Sequence, residues 1–195
     1  MSERAIQKTG LVIMASGLGK RFGGNKLMEI VKDKPLIQHV LDTTNSLFDE
    51  RVVVTRSKEV KALCDSLGVN CIIHKFPYRS DTVRLGLSFI KTKADFCFFT
   101  PGDQPLIGRD TFEKLIDEAC SGKKIVRTAY EDILGSPIGF DKVYFDELLK
   151  LPEGKGGNFI AKKYETEVSK VQVQNEYELW DVDTIEDLEK IKHQI

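Results

Sequence analysis

Short apolar runs of strand length alternate with longer amphipathic segments along the first two-thirds of this chain, and this alternation limits the fold more than any other feature. Runs rich in Val, Ile and Phe, such as residues 51–55 and 95–100, have the composition of strands that are buried on both faces. The segments between such runs carry apolar residues at helical spacing. The pattern predicts a three-layer α/β/α sandwich around a mostly parallel, Rossmann-like sheet, with residues 95–100 as a central strand.

The boundaries of the predicted elements follow from the same periodicity and from the glycine and proline residues between them. The predicted strands cover residues 11–15, 51–55, 69–74, 95–100, 124–129, 136–140 and 168–173. The predicted helices cover residues 35–47, 58–67, 81–91, 111–120, 142–149, 158–164 and 184–192. In the last helix, Thr184 and Asp187 resemble a capping box, in which two side chains satisfy the first free amides of the helix.

Composition excludes several classes of protein. With 195 residues, of which 41% are hydrophobic and 30% charged, the chain is long enough for one compact domain, which we place at residues 1–195. The net charge of −1 gives no electrostatic argument for a nucleic-acid or membrane partner. The first ten residues lack the apolar stretch of a signal peptide, and the four cysteines form no C-x-x-C pair. We therefore expect a cytoplasmic protein with free thiols.

A glycine-rich, basic segment at residues 14–26 directly follows the first predicted strand. Glycines permit unusual backbone angles and allow main-chain amides to approach an anion closely. Basic side chains add positive charge at the same place, so the segment suits a polyphosphate group. The residues concerned are Gly17, Gly19, Gly23 and Gly24, together with Lys20, Arg21 and Lys26.

Other interpretations of this segment fit less well. A Walker A loop needs Ser or Thr after Gly-Lys, but Arg21 follows Lys20. A dinucleotide fingerprint needs a third glycine, where Phe22 stands, and an acidic residue at the end of the second strand, where Arg56 stands. Arg56 leaves an NADP site open, and a plain surface turn also remains possible.

Two acidic segments lie where a sheet of this kind binds ligands. Asp103 follows the central strand within Pro-Gly-Asp-Gln-Pro, and Asp181 and Asp183 precede the last helix. Ligands of parallel sheets bind at the carboxyl ends of the strands, so these segments and the glycine-rich loop should meet there. Carboxylate oxygens suit Mg²⁺ that is shared with substrate phosphates. Each aspartate could instead cap a turn or a helix.

Three segments resemble the MobA-like NTP transferases. Residues 15–27 resemble the family's opening signature, with Ser16 in place of the usual alanine. Residues 101–106 and 181–188 are similar to its two acidic elements, in the same order along the chain. The resemblance implies the nucleotide-diphospho-sugar transferase fold. It also implies that Arg21, Lys26 and Asp103 are catalytic, and that Asp103 and Asp183 ligate Mg²⁺ or Mn²⁺.

Residues 79–87 resemble an element of cytidylyltransferases, and the opening loop is similar to that of the molybdenum cofactor cytidylyltransferases. The nucleotide-binding residues implied are Ala15, Ser16, Gly17, Gly19, Arg21, Lys26, Arg79, Thr82, Gly86 and Asp103. On the acceptor side the resemblance implies Ser136, Pro137 and Lys155. The branch usually carries an Asp and an Arg within the segment that corresponds to residues 154–159, and this chain has neither there.

The resemblance implies a magnesium-dependent enzyme that transfers CMP from CTP to a phosphate-bearing acceptor, molybdopterin or the molybdenum cofactor, and releases pyrophosphate. A molybdenum hydroxylase would be the recipient protein. Three alternatives remain open. The donor could be GTP or another NTP, with a sugar phosphate or other phosphorylated molecule as acceptor. The chain could be a non-catalytic protein that binds and delivers a nucleotide or cofactor. It could also be an NADP-dependent oxidoreductase.

Overall fold

The computed structural model describes residues 7–17, 19 and 22–195, and nine strands lie in this part of the chain. They are β1 (Thr9–Ala15), β2 (Ile30–Val31), β3 (Lys34–Pro35), β4 (Glu50–Thr55), β5 (Cys71–Ile73), β6 (Phe96–Pro101), β7 (Ile125–Tyr130), β8 (Ile133–Asp141) and β9 (Val168–Gln172). Seven of them form the main sheet in the order β5-β4-β1-β6-β8-β7-β9, and β2 and β3 form a separate hairpin.

The main sheet is mostly parallel, as predicted. Strand β1 pairs in parallel with β4 and β6, and β4 pairs in parallel with β5. Strand β8 is antiparallel to both of its neighbours, β6 and β7. Strand β6 is the fourth of seven, which confirms the predicted central strand. The register places Ala15 opposite Thr55 and Met14 opposite Pro101, so the carboxyl ends of β1, β4 and β6 lie side by side.

Helices cover both faces of the sheet. They are α1 (Leu36–Thr43), α2 (Lys58–Ser66), α3 (Arg79–Ile90), α4 (Arg109–Cys120), α5 (Phe145–Leu149), α6 (Gly157–Lys163) and α7 (Ile185–Lys192). One buried cluster joins Leu11 and Ile13 to α1, α2 and α4, and a second joins Val12 to α3, α5 and α6. Successive residues of a strand point to opposite faces, so these two clusters confirm the three-layer sandwich.

Helix α7 packs away from the sheet. Its Leu188 and Ile191 join Val31, Leu36 and Val182 in a third buried cluster beside the β2–β3 hairpin. The predicted capping box at its start is present: Thr184 Oγ1 accepts from the Asp187 amide, and the Asp187 carboxylate accepts from the Thr184 amide. Within the described residues, no helix has the length and apolar composition needed to cross a bilayer.

Short-range chemistry explains where the predicted boundaries were wrong. The first helix ends at Thr43, not at Leu47, since the Thr44 hydroxyl donates to the Val40 carbonyl at 2.7 Å and Ser46 adopts a φ of 59°. The β2–β3 hairpin was not predicted, because strands of two residues show no periodicity. Its turn at Lys32 and Asp33 has positive φ angles without any glycine to signal it.

Gly86 permits the close contact of α3 with the sheet. A Cβ atom at this position would lie 2.4 Å from Val12 Cγ1. We therefore expect Gly86→Ala to lower the free energy of unfolding by about 1–3 kcal/mol through overpacking, as measured by urea denaturation. Adding Val12→Ala should restore part of the loss. In Gly24→Ala the new Cβ meets nothing within 4 Å, so this variant is the control. A loss of unfolding free energy in Gly86→Ala as small as that in Gly24→Ala would contradict the expected overpacking.

Candidate active site

The ammonium group of Lys26 joins three segments that are distant in sequence. Lys26 Nζ lies 2.6 Å from Asp103 Oδ2 and 3.0 Å from Asp183 Oδ1, and it also donates to the carbonyl of Val182. The Lys26 side chain is only 10% exposed, whereas those of Asp103 and Asp183 are 21% and 37% exposed. The structure therefore brings the glycine-rich loop and both acidic segments together at one edge of the sheet.

Electrostatics keep the ammonium group of Lys26 charged. Burial alone would lower the pKa of Lys26, but the carboxylates of Asp103 and Asp183 outweigh that effect, and the pKa is raised above its ordinary value. Asp181 lies nearby, and burial followed by the charge of Asp103 raises its pKa. The side chain of Asp181 accepts a hydrogen bond from Gln104 Nε2.

The donor set fits a hard divalent cation. Asp103 and Asp183 each place a carboxylate oxygen within 3.0 Å of the same nitrogen atom, so both oxygens surround one position of positive charge. In the described part of the chain, no group of three or more His, Cys, Asp or Glu residues is arranged to hold a metal by itself. Mg²⁺ is commonly bound by one or two carboxylates together with substrate phosphates. The two aspartates could hold such an ion when a polyphosphate is bound.

A cavity of about 330 Å³ opens beside Asp103. It lies over the carboxyl ends of β1 and β6, and the starts of α3 and α6 form two of its walls. Six of the predicted site residues line it: Ser16, Gly17, Arg79, Thr82, Asp103 and Ser136. The other lining residues are Met14, Arg56, Pro77, Tyr78, Phe99, Pro101, Ile138, Gly156, Gly157 and Asn158.

Thr82 places an unsatisfied hydroxyl in the wall of this cavity. The residue is 1% exposed, and its Oγ1 has no hydrogen-bond partner among residues 7–17, 19 and 22–195. A buried hydroxyl without a partner is costly, and binding of a polar ligand would remove that cost. Arg79 lies beside it and makes no hydrogen bond or ion pair with any described residue, so its charge is available to a ligand.

Side chains at the end of β4 fix the first residues of the loop. Thr55 Oγ1 donates to the Ala15 carbonyl at 2.9 Å, and Arg56 Nε donates to the Ser16 carbonyl at 2.7 Å. Further along, Gly19 has a φ of 57°, and its carbonyl accepts from the amides of Phe22 and Gly23. A Cβ at Gly19 would lie 2.2 Å from the Gly24 carbonyl oxygen, so only glycine fits this turn.

Other predicted site residues lie outside the cavity. Gly86 packs against Val12, and Ala15 is buried in β1. Pro137 is next to the lining residue Ser136, and Lys155 is exposed near the start of α6 without lining the cavity. Arg21, the remaining basic residue of the catalytic prediction, lies outside the described residues.

The segment that carries Asp183 is anchored to the start of α4 by Glu178. This buried carboxylate accepts hydrogen bonds from the Gly108 amide at 3.1 Å and from the Thr111 hydroxyl at 2.6 Å. Gln104 donates to the Leu179 carbonyl at 3.1 Å in the same region. These bonds hold the chain before Asp183 against the loop that carries Asp103.

Sequence reasoning did not assign Arg56, Tyr78, Asn158 or Glu178 to the site. Arg56 directly follows a predicted strand, so the rule that singled out Asp103 could have found it. Glu178 gave no such signal, because it lies in a 3-10 helix of four residues, Glu176–Leu179, and its partners are far away in the sequence.

Comparison with known proteins agrees with this geometry. The chain matches the MobA-like NTP transferase domain over residues 11–168. The probable molybdenum cofactor guanylyltransferase of Aquifex aeolicus (strain VF5) is 27% identical over 185 residues, which cover 92% of this chain and 88% of that protein. A 3-deoxy-manno-octulosonate cytidylyltransferase of Francisella tularensis subsp. holarctica (strain FTNF002-00 / FTA) is 29% identical over 117 residues, 56% of this chain and 46% of that protein.

Solved structures share the fold. The crystal structure of Rv0371c from Mycobacterium tuberculosis H37Rv has a TM-score of 0.86 at 24% identity and covers 97% of this chain and 100% of that one. A structure of Rv0371c in complex with manganese has a TM-score of 0.76 at 22% identity, with the same coverage.

The matched domain and the names of both curated relatives describe nucleotidyltransferases, and this agreement rules against the oxidoreductase alternative. The match ends at residue 168, so Asp183 lies beyond it and is connected to the matched part by the contacts of Lys26 and Glu178. The chain is a nucleotidyltransferase that belongs to the MobA-like NTP transferase family.

Proposed function

We propose that this protein transfers a nucleoside monophosphate, CMP from CTP, to the phosphate group of a small-molecule acceptor and releases pyrophosphate. The observation that carries the proposal is the Lys26 ammonium, held between Asp103 and Asp183 where the glycine-rich loop meets the cavity. A cation and two carboxylates at this point can position a triphosphate and a divalent metal.

Asp103 and Asp183 would hold Mg²⁺ or Mn²⁺, and the ion would neutralise charge on the triphosphate and on the leaving pyrophosphate. The manganese complex of Rv0371c supports a divalent ion in this fold. With the two carboxylates on the metal, Lys26 would be free to contact phosphate oxygens of the substrate. Arg21 adds a second cation. This arrangement works by positioning and charge neutralisation, as expected for phosphoryl-type transfer.

The nucleotide would bind along the opening loop and the start of α3. Ser16, Gly17, Arg79 and Thr82 line the cavity there, and the unpaired Thr82 hydroxyl can bond to the base or the ribose. The main chain at Ala15 and Gly19 shapes the loop. Gly86 acts indirectly, by permitting the contact that places α3 against β1.

The acceptor would lie over β8 and the start of α6. Ser136 and Asn158 line that half of the cavity, Pro137 adjoins it, and Lys155 lies on the exposed chain beside it. An acceptor phosphate is already anionic near neutral pH, so its attack on the α-phosphorus requires no general base. No histidine is among the cavity-lining residues in the described part of the chain.

We propose molybdopterin or the molybdenum cofactor as the acceptor, in a cytoplasmic protein with a molybdenum hydroxylase as recipient. The name of the Aquifex relative supports the acceptor. The same name favours GTP as a second candidate donor, whereas the Francisella relative and the residues around Thr82 support CTP. A sugar phosphate remains the alternative acceptor.

Donor and acceptor are tested by pyrophosphate release with each of the four NTPs, Mg²⁺, and either molybdopterin or a sugar phosphate. We expect CTP with molybdopterin to give kcat/KM at least about tenfold above any other pair, which corresponds to about 1.4 kcal/mol of transition-state discrimination. Faster turnover with GTP would identify GTP as the donor, and turnover with only a sugar phosphate would identify the sugar phosphate as the acceptor. Binding of NTP without turnover of any pair would instead favour the delivery protein.

Asp103→Asn tests the metal assignment. The substitution keeps the shape of the side chain but removes its charge, so kcat should fall by about 10²–10³-fold and the Mg²⁺ concentration needed for half activity should rise. Asp95→Asn is a matched control, because the Asp95 carboxylate pairs with Lys142 on the surface. Wild-type turnover by Asp103→Asn would contradict the assignment.

Lys26→Met gives a test that does not depend on activity. Without the ammonium group, Asp103 and Asp183 repel one another and should bind a divalent ion more readily. We expect Mg²⁺ alone to raise Tm more in Lys26→Met than in the wild type, while kcat falls by about 10²-fold. Lys34→Met, which removes a surface partner of Asp42, should show neither effect. An unchanged Mg²⁺ response would place the metal elsewhere.

A further inference from the structure

Ser16 is held on three sides at the point where the chain leaves β1. Its carbonyl accepts from Arg56 Nε at 2.7 Å. Its hydroxyl lies 3.1 Å from the Val54 carbonyl and 2.8 Å from His74 Nε2. Ser16 also lines the cavity.

The number of protons limits the direction of these bonds. The Ser16 hydroxyl has one proton, so if it donates that proton to the Val54 carbonyl, His74 Nε2 must carry a proton and donate to Ser16 Oγ. Burial and the nearby charge of Arg56 lower the pKa of His74, which favours its neutral form.

Burying His74 costs free energy that its packing alone does not explain. It is 8% exposed, and its other ring nitrogen, Nδ1, has no hydrogen-bond partner within the described residues. An apolar residue would fill the same space without burying an unsatisfied nitrogen. The bond to Ser16 accounts for a histidine here, and an alanine at position 16 could not form it.

Arg56 connects this bond network to the cavity. Its Nε bond to Ser16 is its sole hydrogen bond or ion pair with the described residues, and the residue lines the cavity. No described carboxylate neutralises it. A guanidinium group presents two terminal nitrogens in a rigid fork that matches phosphate oxygens. Anchoring through Nε leaves that fork free for the ligand.

We infer that Ser16, His74 and Arg56 form one positioning unit for the nucleotide: His74 and Arg56 fix the main chain at Ser16 and Gly17, and the Arg56 terminal nitrogens bind a phosphate oxygen. The inference rests on the proposed function, since it assigns the cavity beside Ser16 to the NTP. His74 acts through Ser16 and is a positioning residue, whereas Arg56 touches the substrate.

The test measures CTP affinity at equilibrium with Mg²⁺, together with kcat and KM, in Ser16→Ala, His74→Ala and the double variant. Each single substitution should raise Kd and KM by about 5- to 20-fold and change kcat by less than about twofold, because one hydrogen bond that orders the loop is lost. The double variant should resemble the single variants, because both remove the same bond. In His74→Gln the amide nitrogen can replace Nε2, so the affinity should return to within about threefold of the wild type.

Arg56→Lys should raise Kd for CTP by about tenfold. An ammonium group lacks the planar fork with which a guanidinium group can bind the Ser16 carbonyl and a phosphate oxygen at the same time. Two matched controls separate this effect from general instability. His39 is equally buried and bonds to the Val31 carbonyl at 2.9 Å, and Arg51 bonds to the Leu41 carbonyl. His39→Ala and Arg51→Lys should lower Tm without changing Kd.

Several outcomes would overturn the unit. One is an additive loss of CTP affinity in the Ser16→Ala/His74→Ala variant. The others are an equal loss of affinity in the controls and an unchanged affinity in all variants. An Nδ1-protonated tautomer of His74 in the ¹⁵N spectrum of the nucleotide-free protein would also contradict it. If the wild type binds CTP and the variants show the expected losses of affinity, but no pyrophosphate is released, the proposed reaction is wrong and the positioning unit is still supported.

Discussion

The site depends on one buried ammonium group. Lys26 lies 77 residues before Asp103 and 157 residues before Asp183, and its Nζ contacts both carboxylates. A buried cation is unfavourable alone, and two carboxylates at such a distance repel one another, so each part of the cluster needs the others. The glycine-rich loop, the loop after β6 and the chain before α7 are thus joined by charge at the place where a ligand must bind.

Hydrogen bonds that do not involve Lys26 also support this cluster. Glu178 caps the start of α4, and Gln104 binds both the Leu179 carbonyl and the Asp181 side chain. The Val182 amide donates to the Asp103 carbonyl at 3.0 Å, so the two acidic segments are also joined through their main chains. The backbone that carries Asp103 and Asp183 is therefore held by bonds that do not depend on the ion pairs of Lys26.

Much of this architecture could be predicted from the sequence. Buried parallel strands are continuous apolar runs, so β1, β4 and β6 and their carboxyl ends were evident, and Lys26, Asp103 and Asp183 were expected to meet. Features set by tertiary contacts were not evident. Gly86 was predicted from a motif to bind the nucleotide, and the residue that it packs against, Val12, is known only from the fold. The Ser16–His74 bond joins residues 58 positions apart, and no local pattern reports it.

The cavity has two walls that are built on different strands of the sheet. The wall at Ser16, Arg56 and Thr82 is built on β1, β4 and α3, whose geometry is fixed by parallel pairing and by the Lys26 cluster. The opposite wall is built on β8 and the start of α6. The two walls meet where β6 pairs with β8 and where Gly156 lies close to the Arg79 side chain. Under the proposed function, the nucleotide and its acceptor would therefore bind to walls that are built on different strands of the sheet.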